Sequence, residues 1–153
     1  MDKISKKEKF PFSKIIIVAF VFAILGQIIH TIGAIITMPY YIDPKYFKIW
    51  SILMMPHEGP PPISFTIISL AFGLINGLIF ASIYSILKKC LPGSTLAKKG
   101  MFFGLLVFLL AGISMFFTLA LLINLPFALL IYWVFESLIF YLVLGLITAN
   151  IIK

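Results

Sequence analysis

The chain has 153 residues, of which 62% are hydrophobic, 16% aromatic and only 11% charged. Soluble globular domains lie nearer half apolar and a quarter charged, and disorder requires low hydrophobicity, so a water-soluble domain and an unstructured chain are both excluded. The net charge of +7 rests on twelve lysines with no arginine, and a lone cysteine, Cys90, rules out an internal disulfide, a CxxC pair or a cysteine zinc cluster.

A membrane-spanning helix needs about 20 mostly apolar residues at 1.5 Å each. The first run that qualifies is Ile15–Met38, preceded by Lys3, Lys6, Lys7, Lys9 and Lys14. Basic residues before an apolar stretch also describe a signal peptide. The run continues past a normal h-region, however, and has no A-x-A-like site near Gly26, so it reads as an uncleaved first span. Ala19, Ala23, Gly26, His30, Gly33 and Thr37 recur along it with a 4-3-4-3-4 spacing, a small-residue seam suited to a left-handed helix crossing.

The connection Pro39–Pro62 opens a second element. Asp43-Pro44 is a helix start, an N-cap acceptor followed by proline at the first helical position. From there to about residue 55, Lys45, Lys48 and Ser51 alternate at helical spacing with apolar and aromatic residues. This predicts a short interfacial helix over about 44–55, with Tyr40, Tyr41, Tyr46 and Trp50 as anchors in the aromatic belt; a re-entrant loop is the alternative. Met54, Met55 and His57 gather soft and imidazole ligands there, a weak metal candidate. His57-Glu58 has no second histidine to make HExxH.

The second run, Ile63–Leu87, carries Ser69, Gly73, Gly77, Ala81 and Ser85, each four residues after the last. Small residues mark helix contact faces in lipid; the ladder predicts either packing within the chain or an interface with another subunit. Lys88, Lys89, Lys98 and Lys99 punctuate the second connection and suit anionic lipid headgroups. Cys90 beside them reads as a free thiol. The third run, Met101–Ile123, and the fourth, Phe127–Ile151, are divided only by Asn124-Leu125-Pro126, where proline disfavours helix at the residue before it and a tight hairpin is predicted.

Ten lysines fall on one side of this four-span arrangement and two, Lys45 and Lys48, on the other. The positive-inside bias then places both termini in the cytoplasm. The basic balance is therefore a topology signal, not a nucleic-acid surface, for which arginine forks would be needed. The expectation is an all-α integral membrane protein of the cell membrane. Its four transmembrane helices (about 15–38, 63–87, 101–123 and 127–151) form one antiparallel bundle over 1–153, with a short outer interfacial helix.

Within the spans only His30 and Glu136 titrate readily near neutral pH. Counted from the helix midpoints, both lie roughly 5 Å toward the outer side, so they share a depth. Gln27 and Asn76 lie close to the middle of their own spans, with Thr31, Ser114, Thr118, Tyr132 and Ser137 adding hydroxyls nearby. A charge at the bilayer centre costs at least about 2.5 kcal/mol, so Glu136 should face other helices, protonated or paired. Glu136 and His30 are the candidate proton- or cation-handling pair, and Asn76 and Gln27 candidate neutral orienters. The plainer alternative is a hydrogen-bond network that fixes helix register.

No nucleophile, metal or cofactor motif is present, and no cofactor is expected. The sequence reads first as a membrane subunit without catalytic chemistry of its own. It would work as a homo-oligomer or beside another membrane subunit, in contact with lipid, with Ser69, Gly73, Gly77, Ala81, Ser85, Gly26 and Gly33 as packing residues. The alternative is a small transporter or channel using Glu136 and His30; a membrane enzyme is a third.

Overall fold

A computed structural model of the chain describes residues 10–57 and 59–153; Lys3, Lys6, Lys7, Lys9 and Glu58 lie outside the described residues. The described chain is helical: α1 (Phe12–Ile36), α2 (Met38–Ile42), a 3₁₀ turn (Pro44–Ile49), α3 (Ile63–Leu87), α4 (Leu96–Val107), a π-helical segment (Phe108–Gly112), α5 (Ile113–Leu122) and α6 (Phe127–Ile151). Helix α4, the π segment and α5 run on as one rod, so four helices are long and apolar enough to cross a membrane: Phe12–Ile36, Ile63–Leu87, Leu96–Leu122 and Phe127–Ile151. At 1.5 Å per residue, 25 residues extend about 37 Å, more than the roughly 30 Å hydrocarbon core.

Prolines set three of the helix starts. Pro11, Pro62 and Pro126 each stand immediately before α1, α3 and α6, where a missing N–H costs no helical hydrogen bond. The start of α4 is capped instead: the Thr95 hydroxyl accepts from the Lys98 amide at 3.2 Å. That cap carries the helix back to Leu96, so Lys98 and Lys99 lie in its first turns, where the sequence predicts a loop. Gly93 makes the preceding turn at φ +132°, a backbone conformation that other residues rarely adopt.

The first connection differs most from expectation. The chain leaves α1 at Thr37, whose hydroxyl donates to the Gly33 carbonyl at 2.7 Å, and forms α2 before Asp43. The Asp43 carboxylate accepts from the Lys45 amide at 3.0 Å, starting the expected turn at Pro44. Regular structure stops at Ile49, however, well short of residue 55. Trp50 adopts an extended backbone and packs inward, its ring stacked on Tyr41 at 4.8 Å and edge-on to Trp133 at 6.4 Å. Ser51 then begins a new turn, accepting from the amides of Met54 and Met55 through its carbonyl. Tertiary packing of one tryptophan thus overrides the local helical spacing.

Glycine and alanine decide how the long helices meet. A Cβ at Gly77 would lie 2.6 Å from the Ala19 Cα, and one at Gly73 2.9 Å from the Ala23 Cα, so α1 and α3 cross antiparallel with backbones nearly touching. Helices α4 and α6 make the equivalent approach, Gly100 against the Gly145 carbonyl and Gly104 against the Tyr141 carbonyl. Contact between α1 and α6 joins the two pairs, with Phe22 edge-on to Phe140 at 4.9 Å.

The buried core lies at the lysine-bearing end. Phe103 of α4 is fully buried and sits 4.8 Å from Phe80 and 5.2 Å from Tyr84 of α3, with Ile15, Val18, Leu144, Ala149 and Ile152 closing around them. Toward the opposite end α3 stands away from the π segment and α5, and a cavity of about 670 Å³ lies between them. Outward faces stay apolar: Ile63, Leu121 and Leu122 are each more than three-quarters exposed. Patches of that extent are unusual on monomeric soluble proteins and ordinary against lipid.

Candidate functional site

Helix α1 supplies His30 and Gly33 one turn apart, and α6 supplies Glu136 opposite them. The His30 Nδ1 lies 3.1 Å from Glu136 Oε1, with the His30 side chain half exposed at 49% and that of Glu136 largely buried at 14%. Pairing of this kind is the means by which a carboxylate is accommodated among membrane helices. The other carboxylate oxygen, Oε2, occupies the space where a side chain at Gly33 would stand. Oε2 is buried and has no hydrogen-bond donor among the described residues. Leaving a buried acceptor without a donor costs about 1–3 kcal/mol, and more for a charged group.

Glu136 and His30 both line the 670 Å³ cavity. Its walls are mainly apolar and rich in aromatic rings: Phe22 from α1, Phe72 from α3, Phe116 from α5, and Trp133 and Phe140 from α6, with Trp50 and Tyr41 contributed by the first connection. Volumes of 300–1,000 Å³ with apolar linings and few polar groups characterise small-molecule sites. The π segment forms part of the rim through Ala111 and Gly112. A Cβ on Gly112 would sit 3.1 Å from the Ser137 hydroxyl, so the residue lets the rod come close to α6 beside Glu136. Single π turns of this kind occur frequently at functional sites.

The remaining sequence candidates separate. Asn76 lines the cavity from α3, but its amide donates to the Phe72 carbonyl of its own helix at 3.0 Å. Gln27 donates to the Thr31 hydroxyl at 3.3 Å and is not among the lining residues. The structure therefore joins His30 with Glu136, puts Asn76 on the facing wall and leaves Gln27 apart. Of the ladder, Gly73 and Gly77 pack on α1, Ala81 is fully buried in the core, Ser69 lines the cavity and the Ser85 hydroxyl is buried with no partner among the described residues. A Cβ on Gly26 would stand 3.6 Å from the Phe140 ring.

Two of the four expected aromatic anchors turn inward. Tyr41 is buried, and that burial pushes its phenol above the ordinary value of 10.0. Hydrogen bonding with the Trp133 and Thr37 side chains pulls the other way, and the Glu136 charge adds to the rise. Tyr41 is therefore a neutral hydroxyl at physiological pH, held over the Glu136 side of the cavity. Tyr40 and Tyr46 are half-buried, and the Lys45 ammonium lies 5.4 Å from the Tyr46 ring.

The metal candidates do not converge. His57 and Met55 border a small cavity of about 230 Å³ with Phe47, Lys48 and Pro56, whereas Met54 lines the large one. Among the described residues no three His, Cys, Asp or Glu side chains are grouped as metal ligands. At the other end Lys88 donates to the Lys153 carbonyl at 2.9 Å and Lys99 to the Lys88 carbonyl at 3.2 Å. Lys98 is exposed, as are Lys89 and the free thiol of Cys90.

Compared with protein-family models, with curated proteins and with solved structures, the chain matches none of them.

Sequence reading did not find Trp133, Phe140, Gly145 or the π segment. Gly145 carried a visible signal, the one glycine of the fourth run, four residues before Ala149. The aromatic residues did not, because apolar rings that face lipid and apolar rings that face a cavity look alike in sequence.

Proposed function

We propose that this chain is a small transport protein of the cell membrane whose cavity handles a proton or cation at Glu136 and His30. One observation carries the reading. Glu136, the only acidic residue lining the cavity among the described residues, has one oxygen on His30 and the other buried with no donor among them. A proton or a cation at the pair relieves that cost, and the cavity provides the space through which either could reach it. The aromatic floor around Phe103 closes the lysine-bearing end, which suits a carrier open to one side at a time better than a continuous pore.

In this reading the four apolar helices form a bundle across the membrane. The lysine-bearing end and both termini face the cytoplasm, and Lys88, Lys89, Lys98 and Lys99 meet inner-leaflet headgroups. The connection 37–62 covers the outer side. A homo-oligomeric or complex-forming subunit is the second reading. It drew its support from small-residue faces, and Gly73, Gly77, Gly100 and Gly104 are occupied by helices of the same chain.

The test is proton movement in vesicles holding the purified chain and a pH-sensitive dye. After a pH gradient is imposed, external monovalent cations, inorganic and quaternary, are added in turn. At least one should collapse the gradient about tenfold faster or more with wild type than with Glu136→Gln, equivalent to about 1.4 kcal/mol in the barrier. Equal rates for every cation would overturn the transport reading.

A further inference from the structure

We infer that the cavity takes a hydrophobic monovalent cation, its apolar body against the aromatic walls and its charge at the Glu136 carboxylate. The inference rests on the transport reading above and names its substrate class. Three features of the cavity converge on it. The first is charge: among the described residues Glu136 is the only acidic one in the lining, and no lysine lines it. An anion would meet the Glu136 carboxylate with no lysine beside it, whereas a cation meets a partner.

The second feature is the walls. Trp50, Trp133, Phe22, Phe116 and Phe140 present rings to the same space as Glu136, and ring faces attract cations, tryptophan most strongly. The Trp50 Nε1 is buried with no hydrogen-bond partner among the described residues, and its ring is stacked on Tyr41. The third is size. About 670 Å³ is far more than a bare inorganic ion needs and falls within the range of drug-sized ligands.

The groups facing Glu136 are His30 from α1, Tyr41 from α2 and Tyr132 from its own helix. Tyr41 is neutral near physiological pH, and His30 is the group in contact with the carboxylate. A proton on the His30–Glu136 pair and a cation in the cavity compete for one carboxylate. When the cation arrives, the proton leaves to water, and the charge of the site is conserved. Binding should therefore weaken on acidification.

Trp50 and Trp133 are the only tryptophans in the chain, and both line the cavity, so intrinsic fluorescence reports occupancy directly. The probes are tetraphenylphosphonium and tetraphenylborate, matched in size and apolar surface and opposite in charge, titrated into the full chain in detergent. The phosphonium should quench saturably, with affinity about tenfold weaker in Glu136→Gln and weaker in acid for wild type, while the borate shows neither dependence. Should Glu136→Gln fail to fold, the acid dependence measured on wild type alone decides. Equal quenching by both ions, insensitive to pH and to Glu136→Gln, would overturn the inference and mark the cavity as a site for uncharged apolar groups. If the phosphonium fails while an inorganic cation still collapses the pH gradient through Glu136, the substrate class is wrong and the transport reading stands. If no cation acts through Glu136 in either experiment, both fall.

Discussion

Gly33 and Glu136 are complementary across the α1–α6 contact: the side chain that Gly33 lacks leaves the space that Glu136 Oε2 fills. A Cβ at Gly33 would meet that oxygen, lie 2.9 Å from the carboxyl carbon and 3.2 Å from the Tyr132 ring. The glycine seen in sequence as one step of a packing seam is thus also the socket of the site's carboxylate.

Gly33→Ala should displace the carboxylate more than the helices, because the atoms in its way are the end of a flexible side chain. The His30–Glu136 contact is lost and overpacking lowers stability by about 1–3 kcal/mol. The check is a double-mutant cycle by thermal unfolding in detergent. In a Glu136→Ala background the same Gly33→Ala change should be cheaper by about 1 kcal/mol or more, the coupling expected of residues in contact. Additive costs would show that Gly33 acts on the backbone crossing alone.

The helix crossings make a contrasting prediction. Gly77→Ala puts a Cβ 2.6 Å from the Ala19 Cα, where only separation of α1 from α3 relieves the overlap, so a loss of about 1–3 kcal/mol is expected. Gly26→Ala meets only the Phe140 ring at an ordinary 3.6 Å. There the gain in helix propensity, up to about 1 kcal/mol, should leave stability unchanged or raised. Melting temperatures measured in one detergent separate the two, and a loss at Gly26 equal to that at Gly77 contradicts the crossing geometry.

This contrast marks how far the sequence was legible. Apolar run length and lysine punctuation located the four long helices, two of them to the residue, because proline stops and starts are local chemistry. The shared depth of His30 and Glu136 followed from counting along two helices, and the structure brings them into contact. Which partner each small residue meets was not legible: Ala19 and Ala23 turn to α3 while Gly26 and Gly33 turn to α6, within one continuous seam. Nor was the inward turn of Tyr41 and Trp50, since an aromatic belt and an aromatic lid have the same composition and differ only in what lies beneath.

Tyr41 gives a pH dependence with a definite sign. Its folded-state pKa is raised above 10.0, chiefly by burial, so the neutral phenol is the form that folding favours. That contribution is fully present below pH 10.0 and is lost as pH rises through the higher folded value. Wild type should therefore lose stability in this alkaline window faster than Tyr41→Phe, which keeps the ring stacked on Trp50. Thermal unfolding of both proteins across the window checks it, and parallel curves would assign the alkaline loss to other groups.

The π segment predicts a separation of fold from site. A π turn is one residue more than the α-helix needs, and removing that residue restores the regular ladder while leaving the register on either side nearly intact. Leu110 is the residue to delete, being 68% exposed on the outer face of the rod. Loss of the bulge redraws the rim at Ala111 and Gly112 and the approach of Gly112 to Ser137, while the core around Phe103, nearer the start of the rod, is untouched. The deletion should leave melting temperature unchanged or higher and weaken phosphonium quenching of Trp50 and Trp133 about tenfold, or about 1.4 kcal/mol. A large fall in melting temperature would mean that the bulge is needed for folding, and unaltered quenching that the rim does not shape the site.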